Sequence, residues 1–549
     1  MESGSATNTT MFQELLVLAI LYVLLHYLTR TILRTKRASP LPLPPGPRGY
    51  PVVGALPLLG RAPHRALAAL ARLHGPIMHL TLGRQGVVVA STPDAARLFL
   101  RDHGGSFLDR PADDVAPTVL AYGAQDLVFA PYGPRWRRLR RECSLGLLGP
   151  QALADWAGAR REEVARMVRA MSRRGAGTAV EVPEFLFCAM ANMIGQAVVR
   201  RRVLDEAGGE EAREFKEMVV ELMTTAGLVN LGDFLPAVAW MDLQGLGRRM
   251  RRLSARLDRV WSRLLSEHEA GVADNDRQHG RHPDLVDRLI ACRGDARAGE
   301  DGVTDLNIKA LLNNLFTAGT DTSSSTIEWA LAEMLANPAI LRRAQAKMDA
   351  VVGRDRLLEE SDVPRLPYLR AICKETFRLH PSTPLSLPRL STEPCTVQGY
   401  HVPEGTRLLV NIWAIGRDPA VWPEPARFDP DRFLTEEGSK VEPLGSHFEL
   451  IPFGAGRRIC AGARMGVTLV HHMLGVLVHA FDWEMPEGGT AGMDMDEEFG
   501  LALQKKVPLR AVVRPRLAPA AYQLSHIRNA LLCSICYARI INEVKVPAE

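Results

Sequence analysis

No Asp, Glu, Lys or Arg occurs from Leu15 to Thr29, and Met11, Phe12, Ile32 and Leu33 extend this apolar run to roughly the 20 residues that span a bilayer as a helix. After it the periodicity changes. Apolar residues recur at three- and four-residue spacing in EFKEMVVELMTTAG (214–227), LNIKALLNNLFTAGTDTSSSTIEWALAEML (306–335) and MGVTLVHHMLGVLVHAF (465–481), which predicts helices. Alternation is scarcer: IMHLTLGRQGVVVAS (77–91) and CTVQGYHVPEGTRLLVN (395–411) each read as a hairpin. The pattern predicts a mainly α protein with small β-sheets.

Charge orients the first segment. Glu2 and Glu14 precede it and Arg30, Arg34, Lys36 and Arg37 follow it, so the basic side and the bulk of the chain stay in the cytosol. A cleaved signal peptide needs the reverse order, a basic residue first and a small-residue cleavage site last. Residues 1–37 therefore read as an uncleaved single-pass anchor with its basic flank. In PLPLPPGPRGYP (40–51) the prolines favour polyproline II, so residues 38–51 read as a stiff hinge that holds the globular part off the membrane. From 52 to 522 no repeat and no second Pro/Gly-rich linker interrupts the chain, and one large domain is expected. The polar stretches 271–285 and 293–302 read as exposed connections within it.

Of 549 residues, 46% are hydrophobic and 23% charged, which suits a large buried core and excludes a disordered chain. The net charge of +5 comes from short clusters such as WRRLRR and GRRMRRL rather than one tract, so no nucleic-acid partner is expected. Solvated helix faces account for most of these arginines. The others are available to steer an acidic partner or to bind a phosphate or carboxylate. Eight scattered cysteines lack the even spacing of a disulfide scaffold, so reduced thiols are expected and Cys460 is free for chemistry.

Cys460 stands in FGAGRRICAG (453–462), where glycines permit close backbone approach to a flat ligand and a helix begins directly afterwards. Amides and the helix dipole at such a position favour a thiolate. AGTDTS (318–323) puts poor helix formers inside a long helical pattern. Hydroxyls there can divert backbone hydrogen bonds, and an acid beside an alcohol, Asp321 and Thr322, can relay protons through water. In KETFRLHP, Glu375 and Arg378 lie one helical turn apart, and in WRRLRR, Trp136 and Arg140 share a helix face.

Together these motifs resemble those of the haem-thiolate monooxygenases, the cytochrome P-450 superfamily, from the anchor to about Tyr522. The resemblance implies the cytochrome P-450 fold behind a single transmembrane helix, with haem b ligated by Cys460 as axial thiolate, and thiolate donation favouring O–O cleavage. It implies a proton relay by Asp321 and Thr322. It assigns Trp136, Arg140, Arg389 in SLPRLS and Arg458 to the haem propionates, for which the arginine fork suits carboxylates. It gives Glu375, Arg378 and Arg432 of PDRF a structural role. NADPH electrons would arrive through a separate reductase, and the membrane would be that of the endoplasmic reticulum.

Within the superfamily, KETFRLHPSTPLSLPRLSTEPC and ELIPFGAGRRICAG resemble the plant flavonoid B-ring hydroxylases. EFKEMVVELMTTAG, GDFLPAVAWMDLQG and FGLALQKKVPL are more similar to the subgroup acting at 3' and 5' than to that acting at 3' only. The 3'-only group carries Thr where this chain has Ala502, and the smaller side chain would leave room for an already hydroxylated ring. The resemblance implies a flavanone or dihydroflavonol substrate, with pocket residues Thr118, Val119, Ala318, Thr383, Leu385, Leu387, Ala502 and Leu503. The alternatives are hydroxylation at 3' only, a haem-thiolate isomerase or dehydratase, and a haem carrier without turnover. Residues 523–549 depart from the family's pattern and read as an appended tail. Its lone Cys533-x-x-Cys536 pair falls short of a four-ligand zinc site.

Overall fold

The computed structural model describes residue 14 and residues 41–174, 178–205, 209–275, 284–293, 302–486 and 493–523. The apolar run 15–29, its basic flank and the tail beyond Gln523 lie outside the described residues. Helices dominate, as the periodicity predicts, and the sheets have two to four strands.

The central element is a helix from Asp305 to Ala336. Thr304 caps it, with Thr304 Oγ1 accepting from Asn307 N–H and Asn307 Oδ1 accepting from Thr304 N–H. At about 1.5 Å per residue it runs for roughly 48 Å through the molecule. It is apolar on nearly all sides and buried for most of its length, because it packs against Val182–Val199, Glu210–Gly227 and Ala463–Ala480 at once. Among the described residues Val182–Val199 is the helix long and apolar enough to cross a membrane, yet most of it is buried in the protein core.

The first predicted hairpin forms as expected, Ile77–Leu82 pairing antiparallel with Gln85–Ala90 around Gly83, whose φ of +52° suits the turn. The second is only half a hairpin. Cys395–Val397 pairs with Tyr400–Val402 across Gln398 and Gly399, both at positive φ, but Arg407–Val410 leaves to lie parallel to Gln85–Ala90. The apolar Leu408 and Val410 are buried in that first sheet, whose strand order is completed by Arg389–Leu390. This places Arg389 on the sheet edge beside the cysteine turn.

The proline segment does not stand clear of the domain. Pro45 O accepts from His79 N–H at 2.8 Å and Pro42 O from His401 N–H at 2.8 Å, so its free carbonyls extend the edges of two sheets. Gly46 touches the first sheet so closely that a Cβ would lie 1.7 Å from His79 O. The polar stretch after residue 271 does not divide the chain either, since Leu246–Asn275 runs into it and Leu285–Ala291 returns to pack on Val182–Val199.

Candidate active site

Cys460 lies in the turn that leads into the helix Ala463–Ala480. Its N–H donates to Phe453 O at 3.0 Å, and Ile459 N–H donates to Gly456 O at 3.0 Å. Gly454 and Gly456 hold φ of +69° and +74°. A Cβ on Gly456 would lie 2.3 Å from Leu100 O, so this glycine's close approach is to the protein's own backbone rather than to a ligand. The Cys460 side chain opens into a cavity with an empty volume of about 1990 Å³, mouth included. Burial pushes its thiol up from the ordinary value, against the pull of the Gly462 amide and the Arg140 guanidinium. Against that burial, a bound cation would favour the thiolate expected from the sequence.

Arginines line the cavity beside the cysteine. Arg389 donates from Nη2 to Ala455 O at 2.7 Å, and its Nη1 is buried with no partner. Arg458 donates from Nε to Leu108 O and from Nη2 to Ala130 O, and its Nη1 is likewise orphaned. A third, Arg110, was not anticipated. It donates from Nη1 to the carbonyls of Leu387 and Pro388, and its Nε has no partner. Burial holds Arg389 and Arg458 down at about 10, and burial with the repulsion of the other two holds Arg110 well below its ordinary value. Three buried cations without a bonded carboxylate fit the two carboxylates of a haem, and the cysteine on the same cavity fits its iron.

Trp136 and Arg140 share a helix face, as their spacing predicts, and both line the cavity. The indole is already engaged: its N–H donates to Leu127 O at 2.9 Å. Its ring carries the guanidinium of Arg458 at 4.5 Å and that of Arg140 at 5.4 Å, so it acts here as a cation–π platform.

On the central helix, Thr322 lines the cavity with Ala318 and Gly319. Its hydroxyl donates to Ala318 O at 2.7 Å, and Thr317, Thr320 and Thr326 make the same bond one turn back, yet the helix continues unbroken. Asp321 is not on the cavity wall. One residue along a helix turns about 100°, and both of its carboxylate oxygens accept from Gln504 Nε2, at 2.7 and 2.8 Å. Burial raises the Asp321 carboxyl to about 6 against this donation.

Of the expected pocket residues, Ala318, Thr383 and Leu387 line the cavity. Thr118 is exposed and Val119 turns aside, while their neighbours Ala116 and Leu120 face inward from the same helix. Leu385 packs against the core around the first sheet. Ala502 and Leu503 are buried behind the wall, which Leu501 reaches instead. Sequence reading also missed a hydroxyl pair on the wall, Thr326 Oγ1 and Ser382 Oγ, 2.8 Å apart. Beneath the site, Glu375, Arg378 and Arg432 form the buried network expected of them.

The cytochrome P-450 family model matches residues 44–509. A "Flavonoid 3',5'-hydroxylase" of Campanula medium is 53% identical over 525 residues, 94% of this chain and 99% of that one. A "Flavonoid 3'-monooxygenase" of Oryza sativa subsp. japonica is 51% identical over 487 residues, 88% and 92%. Among solved structures, a zebra fish cytochrome P-450 with progesterone superimposes with a TM-score of 0.69 at 26% identity, covering 82% of this chain and 99% of that one.

Proposed function

The chain belongs to the cytochrome P-450 family, and from that premise we propose that it hydroxylates the B ring of flavanones and dihydroflavonols at 3' and 5'. The observation that carries this is the joining of two unlike surfaces in one cavity. One side offers Cys460 and three anion-short arginines, and the other is an apolar wall with few polar groups. A flat polyphenol suits such a wall.

Haem held through Cys460 supplies the activation of dioxygen that aromatic hydroxylation needs. The chain's residues do the rest. Arg389, Arg458 and Arg110 would hold its carboxylates, each having a buried nitrogen free to donate. Ala116, Leu120, Leu387 and Leu501 exclude water and orient the substrate. Thr322, its proton committed to Ala318 O, keeps lone pairs with which to accept a hydrogen bond in the cavity. Asp321, a carboxyl raised to about 6 behind the wall, is the group that would take up and hand on the proton that the reaction consumes.

Electrons come from NADPH through a separate reductase. Supporting a docking face, Arg137 and Arg141 are exposed on the helix whose other side carries Trp136. The apolar N-terminal run with its basic flank supports a single-pass anchor in the endoplasmic reticulum membrane. Relatives of near-equal identity differ in whether their names include the 5' position, so the second hydroxylation is the part to test. The full chain, co-expressed with a reductase and given naringenin, is expected to yield products heavier by one and by two oxygens. A product limited to one oxygen would remove the 5' activity from this reading, and no oxygenated product would overturn it.

A further inference from the structure

The contact between Asp321 and Gln504 joins residues 183 positions apart and, with the bond from Leu509 N–H to Glu328 Oε1 at 2.7 Å, ties the central helix to the C-terminal segment. Its direction is fixed. The amide nitrogen faces both oxygens of the carboxylate, since the flipped amide would set Oε1 against two acceptor oxygens. Around the carboxylate stand Lys216 of Glu210–Gly227 and Glu328 on its own helix, and Lys505 beside Gln504 faces Glu328.

The segment that carries Gln504 is seated on the cavity. Leu501 lines it, and Leu501 N–H donates to Met223 O at 2.7 Å. Leu503 N–H donates to Ser382 O at 2.7 Å, and Ser325 Oγ donates to Leu503 O at 3.2 Å. Met223 and Ser382 line the cavity as well. Packing beneath is tight: a Cβ on Gly227 would lie 1.9 Å from Leu501 N, and one on Gly500 would lie 2.8 Å from Thr224 Cα. Leu501 is thus the point at which a molecule in the cavity meets this tightly packed segment, and Gln504 is three residues further on.

We propose that Gln504 is a positioning residue for proton delivery: it holds the Asp321 carboxylate behind the cavity wall, and the segment Gly500–Leu503 shifts that hold when substrate fills the cavity. The inference rests on the reading of Asp321 as proton donor. It makes Gln504 act on the reaction only through Asp321, so that proton supply depends on an occupied cavity.

The test compares full-length wild type, Gln504→Met, Asp321→Asn and the double variant, each with reductase and naringenin. Rates are expressed per haem-loaded molecule from the carbon monoxide difference spectrum, which removes losses in folding from the comparison. Asp321→Asn is expected to lower hydroxylation about 10²-fold, the low end for a positioned general acid. Gln504→Met is expected to lower the product formed per NADPH consumed by about tenfold and to displace the pH–rate profile, while the naringenin-induced spectral shift keeps its midpoint. The double variant is expected to match Asp321→Asn alone. A wild-type yield and pH profile in Gln504→Met, or losses that multiply in the double variant, would overturn the inference. Failure of the underlying reading looks different, because Asp321→Asn would then retain wild-type turnover.

Discussion

Two clusters of buried arginine lie close to the cysteine turn, and they are built on opposite principles. Arg378, 1% exposed, engages Glu375 through Nε and Nη2 and donates to the carbonyls of Gly416, Pro425 and Arg427. Glu375 also accepts from Arg432 and from Asp429 N–H. Arg110, Arg389 and Arg458 bond only backbone carbonyls, and each leaves a buried nitrogen unpartnered. A complete ion-pair network holds a structure together by itself. An incomplete one that lines a cavity leaves donors open to anions that a ligand brings.

The largest effect is expected at the complete cluster. Arg378→Met leaves Glu375 fully buried against one remaining cation, an arrangement that typically destabilises by about 3–5 kcal/mol. Thermal melts should show the loss whether or not haem is present, and haem-loaded protein should be scarce in cells.

At the incomplete cluster the same kind of change has two opposite signs. Arg389 and Arg458 sit at about 10 in the fold, below the ordinary guanidinium value, so the folded chain binds their protons less tightly than the unfolded chain does. Their charge opposes folding at neutral pH, and the opposition is relieved only as pH rises through that value. Arg389→Leu should therefore leave the haem-free protein's melting temperature unchanged or higher. The same variant should release haem faster to an apomyoglobin acceptor, by about 10-fold or more for a charge-assisted pair worth ~1.5 kcal/mol. Loss of both properties together would mean that Arg389 is structural, like Arg378.

The smallest effect concerns the distal wall. Ala502 is buried behind Leu501, so Ala502→Thr acts by overpacking, at about 1–3 kcal/mol, and only indirectly on the cavity. Leu501→Ala, which alters the wall itself, should change the ratio of doubly to singly hydroxylated product more than Ala502→Thr does. The reverse order would restore the steric role read from the sequence.

The comparison also explains what the sequence could reveal. Helices and the first hairpin follow from periodicity and a turn glycine, and Glu375 with Arg378 are local partners at one-turn spacing. Cys460 is legible because its glycines are required by its own turn. Arg110 is not, because its role comes from carbonyls near residue 388 and from two other cations, none of which its neighbours in FLDRP betray. Pocket residues went astray by one or two positions on the 115–120 helix and at 501–503. A motif names a segment, whereas burial by distant elements decides which face of it looks inward. Arg407–Val410 left its expected hairpin for the same reason, drawn to a sheet formed more than 300 residues earlier.

The central claim is that the cavity between Cys460 and the anion-short arginines holds a haem bonded to that sulfur. Its most direct test is the reduced carbon monoxide difference spectrum of wild type and Cys460→Ser. Wild type should show the red-shifted Soret band of thiolate-ligated haem, and the variant should lose both that band and oxygen-dependent turnover. A variant that keeps the band would contradict the account.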